Sequence, residues 1–470
     1  MKDMKKLVIG IFALLLVGAA AFWYFRRDSD KARDVLPADA SAAMMFEPAE
    51  LVEGLGLTLQ DVLKLASEYG DMEGAVDFTK PVYAFASENG FTGIALNVED
   101  ATKLLESFTS LGFASEQKQG LNWVANNVSI GCFDDDKILL CQASAADQDG
   151  LRGEMMKLMK QDCQDVPILE KANRQEGFLR LCTSMSSLPK SQLPPGYDVS
   201  GAFLSTSLSL GKQDITLSAK VEDKDGKPYS GRAKGEELLC PINGLLLTVV
   251  PDKPFAWFCM GVKGEQLLKI LRVGPQVSAA LMAMNVAFFD ADLLLKAIDG
   301  DVVVMMPKAD FSRREVLITA NISNSDFLKN AEDWDTTSSV DGMSLRKRGE
   351  NDYVFTFHGM QAYFGVRGGM LYIASSERLA DQVLQETENG ILQPMVAGKY
   401  ICGSIDVAQL VESYAPLTLM LSAIPQLREV VTAIDKINLS ADTPQSLELS
   451  IKTNKPVKDV VSNLMKLFRE

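Results

Sequence analysis

Apolar residues open the chain as one unbroken run, and then settle into short alternating or helically spaced groups. Leu7 to Phe25, LVIGIFALLLVGAAAFWYF, is 19 residues without a charge, close to the roughly 20 a helix needs to cross a bilayer. Beyond it, residues 44–46 predict a short strand. Residues 50–69 carry Leu51, Leu55, Leu59, Val62 and Ala66 at helical spacing. Residues 81–87 and 92–98 read as strands paired around Asn89-Gly90. A helix follows Asp100, with Ala101, Leu104, Leu105 and Phe108 on one face. A strand over 122–128, a hairpin over 133–141 turning on Asp134, Asp135 and Asp136, and a helix over 151–159 come next.

The pattern then starts again. VVPDKPFAWFCMGVKGEQLLK, residues 249–269, restates VLPADASAAMMFEPAELVEG, residues 35–54. Strands are expected at 301–306 and 315–322, a helix at 326–334, a meander at 353–357, 362–367 and 370–374, and a helix at 378–385. KILLCQAS against GMLYIASS, and VEDATKLLESF against NSDFLKNAEDW, support that register. Each copy closes with FLRLCTS or YICGS, setting Cys182 over Cys402, and with DITLSAKV or SLELSIK, setting Leu217 over Leu449. In the last, Leu447, Leu449 and Ile451 alternate with polar residues, as in a half-buried antiparallel strand. A final amphipathic helix carries Val457, Val460, Val461, Leu464, Leu467 and Phe468 on one stripe. The short connection before it predicts that this stripe covers its own sheet. A repeat of about 215 residues is a duplicated domain rather than a solenoid.

The expected fold is therefore α+β: two duplicated domains with antiparallel sheets packed by helices, behind one N-terminal transmembrane helix. The divisions are a tail over 1–6, the anchor over 7–25, a charged linker over 26–34, and repeat domains over 35–247 and 248–470.

Charge bears on the anchor and the partner. Lys2, Lys5 and Lys6 precede the apolar run, and Arg26 and Arg27 follow it, with Phe22, Trp23, Tyr24 and Phe25 at its end, where amphipathic rings favour the headgroup level. Ala19 and Ala21 also form an A-x-A cleavage pattern, so a cleaved signal peptide is the rival reading. The net charge is −15. Seven of the 47 basic and three of the 62 acidic residues lie in the first 33, leaving −19 beyond them. A chain this acidic is a poor partner for nucleic acid, whose phosphates need clustered Lys and Arg.

Candidate chemistry is sparse. His358, the one histidine, sits in FTFHGM and reads as a strand residue with a structural role. The motifs GxSxG, HExxH and GxxxxGK[ST] are absent. The aspartates 134–136 read as a solvated turn. Asp223, Asp225 and Gly226 in EDKDGK resemble half an ion loop, without the glutamate that would complete it. Seven cysteines, Cys132, Cys141, Cys163, Cys182, Cys240, Cys259 and Cys402, include no CxxC and sit mostly in apolar contexts; they read as buried thiols, with a disulfide open only if the domain is exported. Met282 and Met284 read as core filling. No catalytic, cofactor-binding or metal-ligating residue is named, and no cofactor is expected.

The single span, LPADASAAMMFE leading into GL, and the duplicated β-rich unit resemble a domain-of-unknown-function family of envelope proteins from Bacteroidales-type bacteria. That resemblance implies an exported domain, often lipid-anchored, with its N-terminus in the cytoplasm and its body in the periplasm. This chain lacks the lipoprotein cysteine, since none follows the apolar run until Cys132. The expectation is a non-enzymatic, inner-membrane-anchored periplasmic accessory or scaffold protein. It would meet the membrane through Leu7 to Phe25 and an envelope protein through its surface. The competing class is a module binding an apolar or glycan ligand between the repeats; an enzyme stands third.

Overall fold

The computed structural model describes residues 30–55, 74–144, 146–161, 165–188, 198–229, 231, 237–249, 254–273, 277–279, 281, 290–310, 315–329, 343–382 and 393–469. Among them no helix is long and apolar enough to cross a membrane. Leu7 to Phe25 lies outside them, as do Cys163, Met282, Met284 and residues 56–69, 330–334 and 383–385 of three expected helices. By its internal contacts the described chain forms two compact units. The first comprises the described residues up to 188 with Val199–Tyr229 and Pro456–Lys458, and the second is built on Ser230–Lys455 with Asp198 and the described residues from Asp459 onward.

The first unit is α+β. Its strands are β1 (Ala40–Phe46), β2 (Val82–Ser87), β3 (Thr92–Asn97), β4 (Ala114–Lys118), β5 (Leu121–Ala125), β6 (Ser129–Phe133), β7 (Lys137–Gln142), β8 (Leu179–Ser184), β9 (Phe203–Leu210) and β10 (Asp214–Glu222). All pairs are antiparallel, in the order β4-β5-β6-β7-β3-β2-β1-β8-β9-β10. Among the described residues four helices accompany them: α1 (Pro48–Leu55), α2 (Ala101–Ser110), α3 (Gln148–Lys160) and α4 (Pro167–Asn173). The Asp100 carboxylate starts α2 by accepting from the Thr102 and Lys103 backbone N–H groups, two of the donors a helix start leaves open. Asn89 bonds the Phe91 N–H at 2.9 Å, and Gly90 takes φ 85°, so the expected hairpin turns where Asn-Gly permits it. Met155 and Leu158 of α3 and Leu169 and Ala172 of α4 share one core with Ala43, Met45, Trp123, Ile130 and Leu139 of the strands.

From Asp30 onward the charged linker is part of this unit. Ala32, Val35 and Leu36 are fully buried. Asn97 of β3 accepts from the Lys31 and Ala32 N–H groups at 2.8 and 3.1 Å and donates to Asp30 at 2.9 Å. Tyr83 also donates its hydroxyl to Asp30. The charges of the stretch suggest solvent, but its three apolar side chains are what the core holds.

The second unit repeats the layout with β11 (Ala256–Lys263), β12 (Ile298–Met306), β13 (Leu317–Ile322), β14 (Met343–Gly349), β15 (Asp352–Phe357), β16 (Met360–Arg367), β17 (Met370–Ala374), β18 (Ile401–Asp406), β19 (Ile434–Ala441) and β20 (Ser446–Thr453). Their antiparallel order is β14-β15-β16-β17-β13-β12-β11-β18-β19-β20, the order of the first unit strand for strand. Among the described residues eight helices belong to this part of the chain: α5 (Gly264–Leu271), α6 (Ala291–Ala297), α7 (Glu377–Gln382), α8 (Gln393–Val396), α9 (Val407–Ser413), α10 (Ala415–Ala423), α11 (Pro425–Ala433) and α12 (Val457–Arg469). At Gly264 a Cβ would fall 1.8 Å from the Leu295 carbonyl oxygen, so α5 and α6 pack only with glycine there. Leu371 and Tyr372 enter different cores, as do Tyr353 and Val354. Neighbours on a strand point to opposite faces, so this sheet is covered on both.

One expectation of register needs correction. Cys182 pairs with Ala43 and Cys402 with Cys259, matching positions of the two orders. Leu217, however, does not match Leu449. Lys220 pairs with Ser205, itself opposite Cys182, and Glu448 pairs with Ser440, itself opposite Cys402. Leu449 therefore answers Val221, because apolar alternation repeats every two residues and does not fix which rung is which. Val460 of the final helix clusters with Val430 and Ala433 of α11, a helix the sequence pattern had not predicted; the side chains of Leu464, Leu467 and Phe468 lie outside the described residues.

Candidate interaction surface

The residues singled out for chemistry fall into backbone-holding roles. Asp134 accepts from the Asp136 and Lys137 N–H groups, both at 2.9 Å, and so shapes the β6–β7 turn. Asp223 does the same for Asp225 and Lys227, bonds that hold its carboxyl below the usual range. The carbonyls of Asp223 and Lys224, which an ion would need, are bonded at 2.7 Å by the buried Lys171 ammonium. Among the described residues no group of three or more His, Cys, Asp or Glu could hold a metal ion. His358 lies in the two-residue turn between β15 and β16, not inside a strand: it has φ 45°, Gly359 has φ 83°, and Phe357 pairs with Met360 across them. Both central residues at positive φ make this a type I′-like hairpin.

Two buried carboxylates were missed because a lone Asp inside an apolar strand leaves no pattern. Asp301 is fully buried and accepts from the Asn243 and Gly244 N–H groups at 2.9 and 2.8 Å. Burial pushes its carboxyl up, and those two bonds pull it partly back. Asp352 accepts from Arg367 at 2.7 Å and from the Tyr372 hydroxyl; Arg367 also lies 4.6 Å from the Tyr372 ring centroid. Burial first, then Asp352, pushes the Tyr372 hydroxyl far above its ordinary range. Both sites clamp one segment to another. Cys132, Cys141, Cys182, Cys259 and Cys402 are buried and Cys240 half-buried, all with free thiols. Desolvation raises each, Cys141 to about 12. A thiol is a nucleophile only as thiolate, so none of the six is primed to attack at neutral pH.

The distinctive surface lies on the second unit. Between β8 and β9 the first unit spends residues 185–202, whereas between β18 and β19 the second spends 407–433 on three helices. Asp406 caps α9 through the Gln409 N–H at 2.9 Å. Tyr414 ends α9 and starts α10, and prolines sit at the first turns of α10 and α11, where a missing N–H costs nothing. Helices α9 and α11 pack on β19, and α10 rests on α9 and α11. Leu421 is buried and Leu417 half-buried, one turn apart, which spends one face of α10. The other face is also apolar: Leu419 is 74% exposed, Met420 51%, and Ile424 just beyond the helix 42%. Residues 415–427 carry no charge in a chain that is 23% charged. The hydroxyls there are taken up by backbone carbonyls, Thr418 donating to Val411 at 2.9 Å and Ser422 to Leu419 at 2.6 Å. A helix apolar on every side is normally buried on every side. Here half of it meets no side of its own unit, and it carries no polar side-chain donor that a covering surface would orphan.

The family described as "Domain of unknown function (DUF4836)" matches residues 70–438. No curated protein matches. Among solved structures, three crystal forms of TP0453 are similar. Form III is 13% identical with a TM-score of 0.29, covering 43% of this chain and 84% of that one. Form I is 13% identical with a TM-score of 0.28, covering 43% and 82%. Form IV is 14% identical with a TM-score of 0.27, covering 40% and 79%.

Proposed function

For this chain, which belongs to the DUF4836 family of unknown function, we propose a non-enzymatic role: a membrane-anchored accessory or scaffold protein of a Bacteroidales-type cell envelope, acting through protein contacts. Leu7 to Phe25 is the anchor and the folded body stands in the periplasm. The body is a duplicated domain, a reading supported by the identical strand order of the two units. The second copy has diverged by gaining the α9–α11 excursion.

The observation that carries this role is the uncharged outer face of α10. Fully burying a side chain such as Leu or Met contributes about 1.5–3 kcal/mol, so covering the partly exposed Leu419, Met420 and Ile424 favours association. An added loop on a repeated scaffold is where function is commonly placed. The partner is an envelope protein presenting a complementary apolar groove.

The test is photocrosslinking in intact cells from a benzophenone amino acid placed at Leu419. A discrete higher-mass species containing a second protein is expected, lost when Met420→Asp is added. Crosslinks to lipid alone, or none at all with the chain in its membrane, would overturn the proposal.

A further inference from the structure

Among the described residues the structure sorts the methionines by exposure. Met45, Met155, Met159 and Met305 are buried, whereas Met360, Met395 and Met420 are each more than half exposed. Of these three, Met420 alone belongs to a continuous apolar face. With 3.6 residues to a turn, the buried Leu421 and half-buried Leu417 mark the inner side of α10, and the exposed Leu419, Ala423 and Met420 follow one another around the outer side. Ile424 extends that arc just past the last turn. Met420 therefore has Ala423, three residues on, at one flank and Ile424, four on, at the other. Met360 instead follows the His358-Gly359 turn, and Met395 sits in the short α8. A thioether is soft and takes up oxygen, and the sulfoxide it becomes is a polar acceptor. This face has little to offer such an acceptor. The Thr418 and Ser422 hydroxyls already donate to the Val411 and Leu419 carbonyls, and residues 415–427 hold no cationic donor.

We infer that Met420 is a site of reversible oxidation by a peroxide, and that its sulfoxide closes the α10 face to the partner; the inference rests on the contact role proposed above. The sulfur lone pair attacks one oxygen of hydrogen peroxide, the S–O bond forms as the O–O bond breaks, and the other oxygen leaves as water. Sulfur gives up two electrons and the peroxide takes them. A sulfoxide reductase reverses the step at the expense of two thiols, which become a disulfide while the oxygen departs as water. The oxygen on Met420 would stand at the middle of the covered patch, where contacts count most. A buried acceptor left without a donor weakens binding by roughly tenfold or more. Peroxide reaches the sulfur only while the face is uncovered, so the modification marks chains without a partner and keeps them from binding one.

Membranes from cells making the full chain with a benzophenone amino acid at Leu419 are treated with hydrogen peroxide, quenched with free methionine and irradiated. The methionine peptides are mapped by mass in the same samples. The expected result is one added oxygen on Met420 and a crosslinked species reduced roughly tenfold. Met420→Leu, which keeps the face apolar and has no sulfur, should hold its crosslink through the same treatment. Met420→Gln, polar without any oxidant, should lack the crosslink from the start. Sulfoxide at Met420 with an undiminished crosslink would overturn the inference, as would an unoxidised Met420 or an equal loss in Met420→Leu. A chain that gives no crosslink even before peroxide would instead overturn the contact role, and the inference with it.

Discussion

Single residues in this protein mainly fasten one segment to another. Asp301 lies unheralded in IDGDVVVMM, yet its two oxygens hold the Asn243 and Gly244 backbone. Asparagine offers one acceptor oxygen, so Asp301→Asn leaves one buried N–H facing a second donor, a loss of about 1–3 kcal/mol. The pH dependence has a definite sign. Burial raises the folded-state pKa above the ordinary carboxylate value near 3.8, so the native state keeps this proton after the unfolded chain has lost it. The wild-type contribution therefore falls as pH rises through that interval, while an amide has no such slope. Urea unfolding at several pH values should show the deficit of Asp301→Asn narrowing as pH rises through that interval; a widening deficit would refute the argument. Asn97 fastens the N-terminal entry by holding Lys31, Ala32 and Asp30. In Asn97→Ala, brief trypsin treatment of the folded protein should cut after Lys31 or Arg33 faster than it does in the wild type. Equal cleavage in both proteins would show that Asn97 is not the latch.

At the scale of elements, α10 separates packing from contact on one short helix. Leu421 is buried, so Leu421→Ala should cost about 2–5 kcal/mol and visibly lower the melting temperature. Leu419→Asp, on the exposed face, should change stability by no more than about 0.5 kcal/mol while removing the partner. If Leu419→Asp destabilised the isolated protein as much as Leu421→Ala, the face would be covered from within and the interaction proposal would fail. Strands show how position overrides pattern. β4 and β14 occupy equivalent ends of the two strand orders, and their sequences ASEQK and MSLRKRG carry no alternation. β9 inverts the rule. Its buried members include Ser205 and Ser207, with the Ser205 hydroxyl donating to the Cys182 sulfur at 3.6 Å.

For the whole molecule, the predicted anchor and orientation make one test decisive. Protease added to spheroplasts should degrade everything beyond Arg33, leaving only an N-terminal remnant in the membrane fraction. Full protection of the body in intact spheroplasts, with digestion once the membrane is opened, would place it in the cytoplasm and end the envelope reading. The family match across residues 70–438 takes in strands of both units.

Local physics made much of this molecule readable before any coordinates. The turn at Asn89-Gly90, the helix start after Asp100, and the alternating run in β20 are each fixed by a few neighbouring residues. Neighbouring residues act through dihedral preference and side-chain periodicity, which a sequence displays directly. The α+β class and the repeated order of elements followed from those. Tertiary structure alone decided the rest. Which rung Leu449 occupies depends on a partner strand, since a period of two leaves register open. That residues 415–423 form a helix with an uncovered apolar face depends on what the sheet beneath leaves exposed. That Cys259 meets Cys402 depends on two strands 143 residues apart being neighbours, and no local preference records which distant segment arrives beside another.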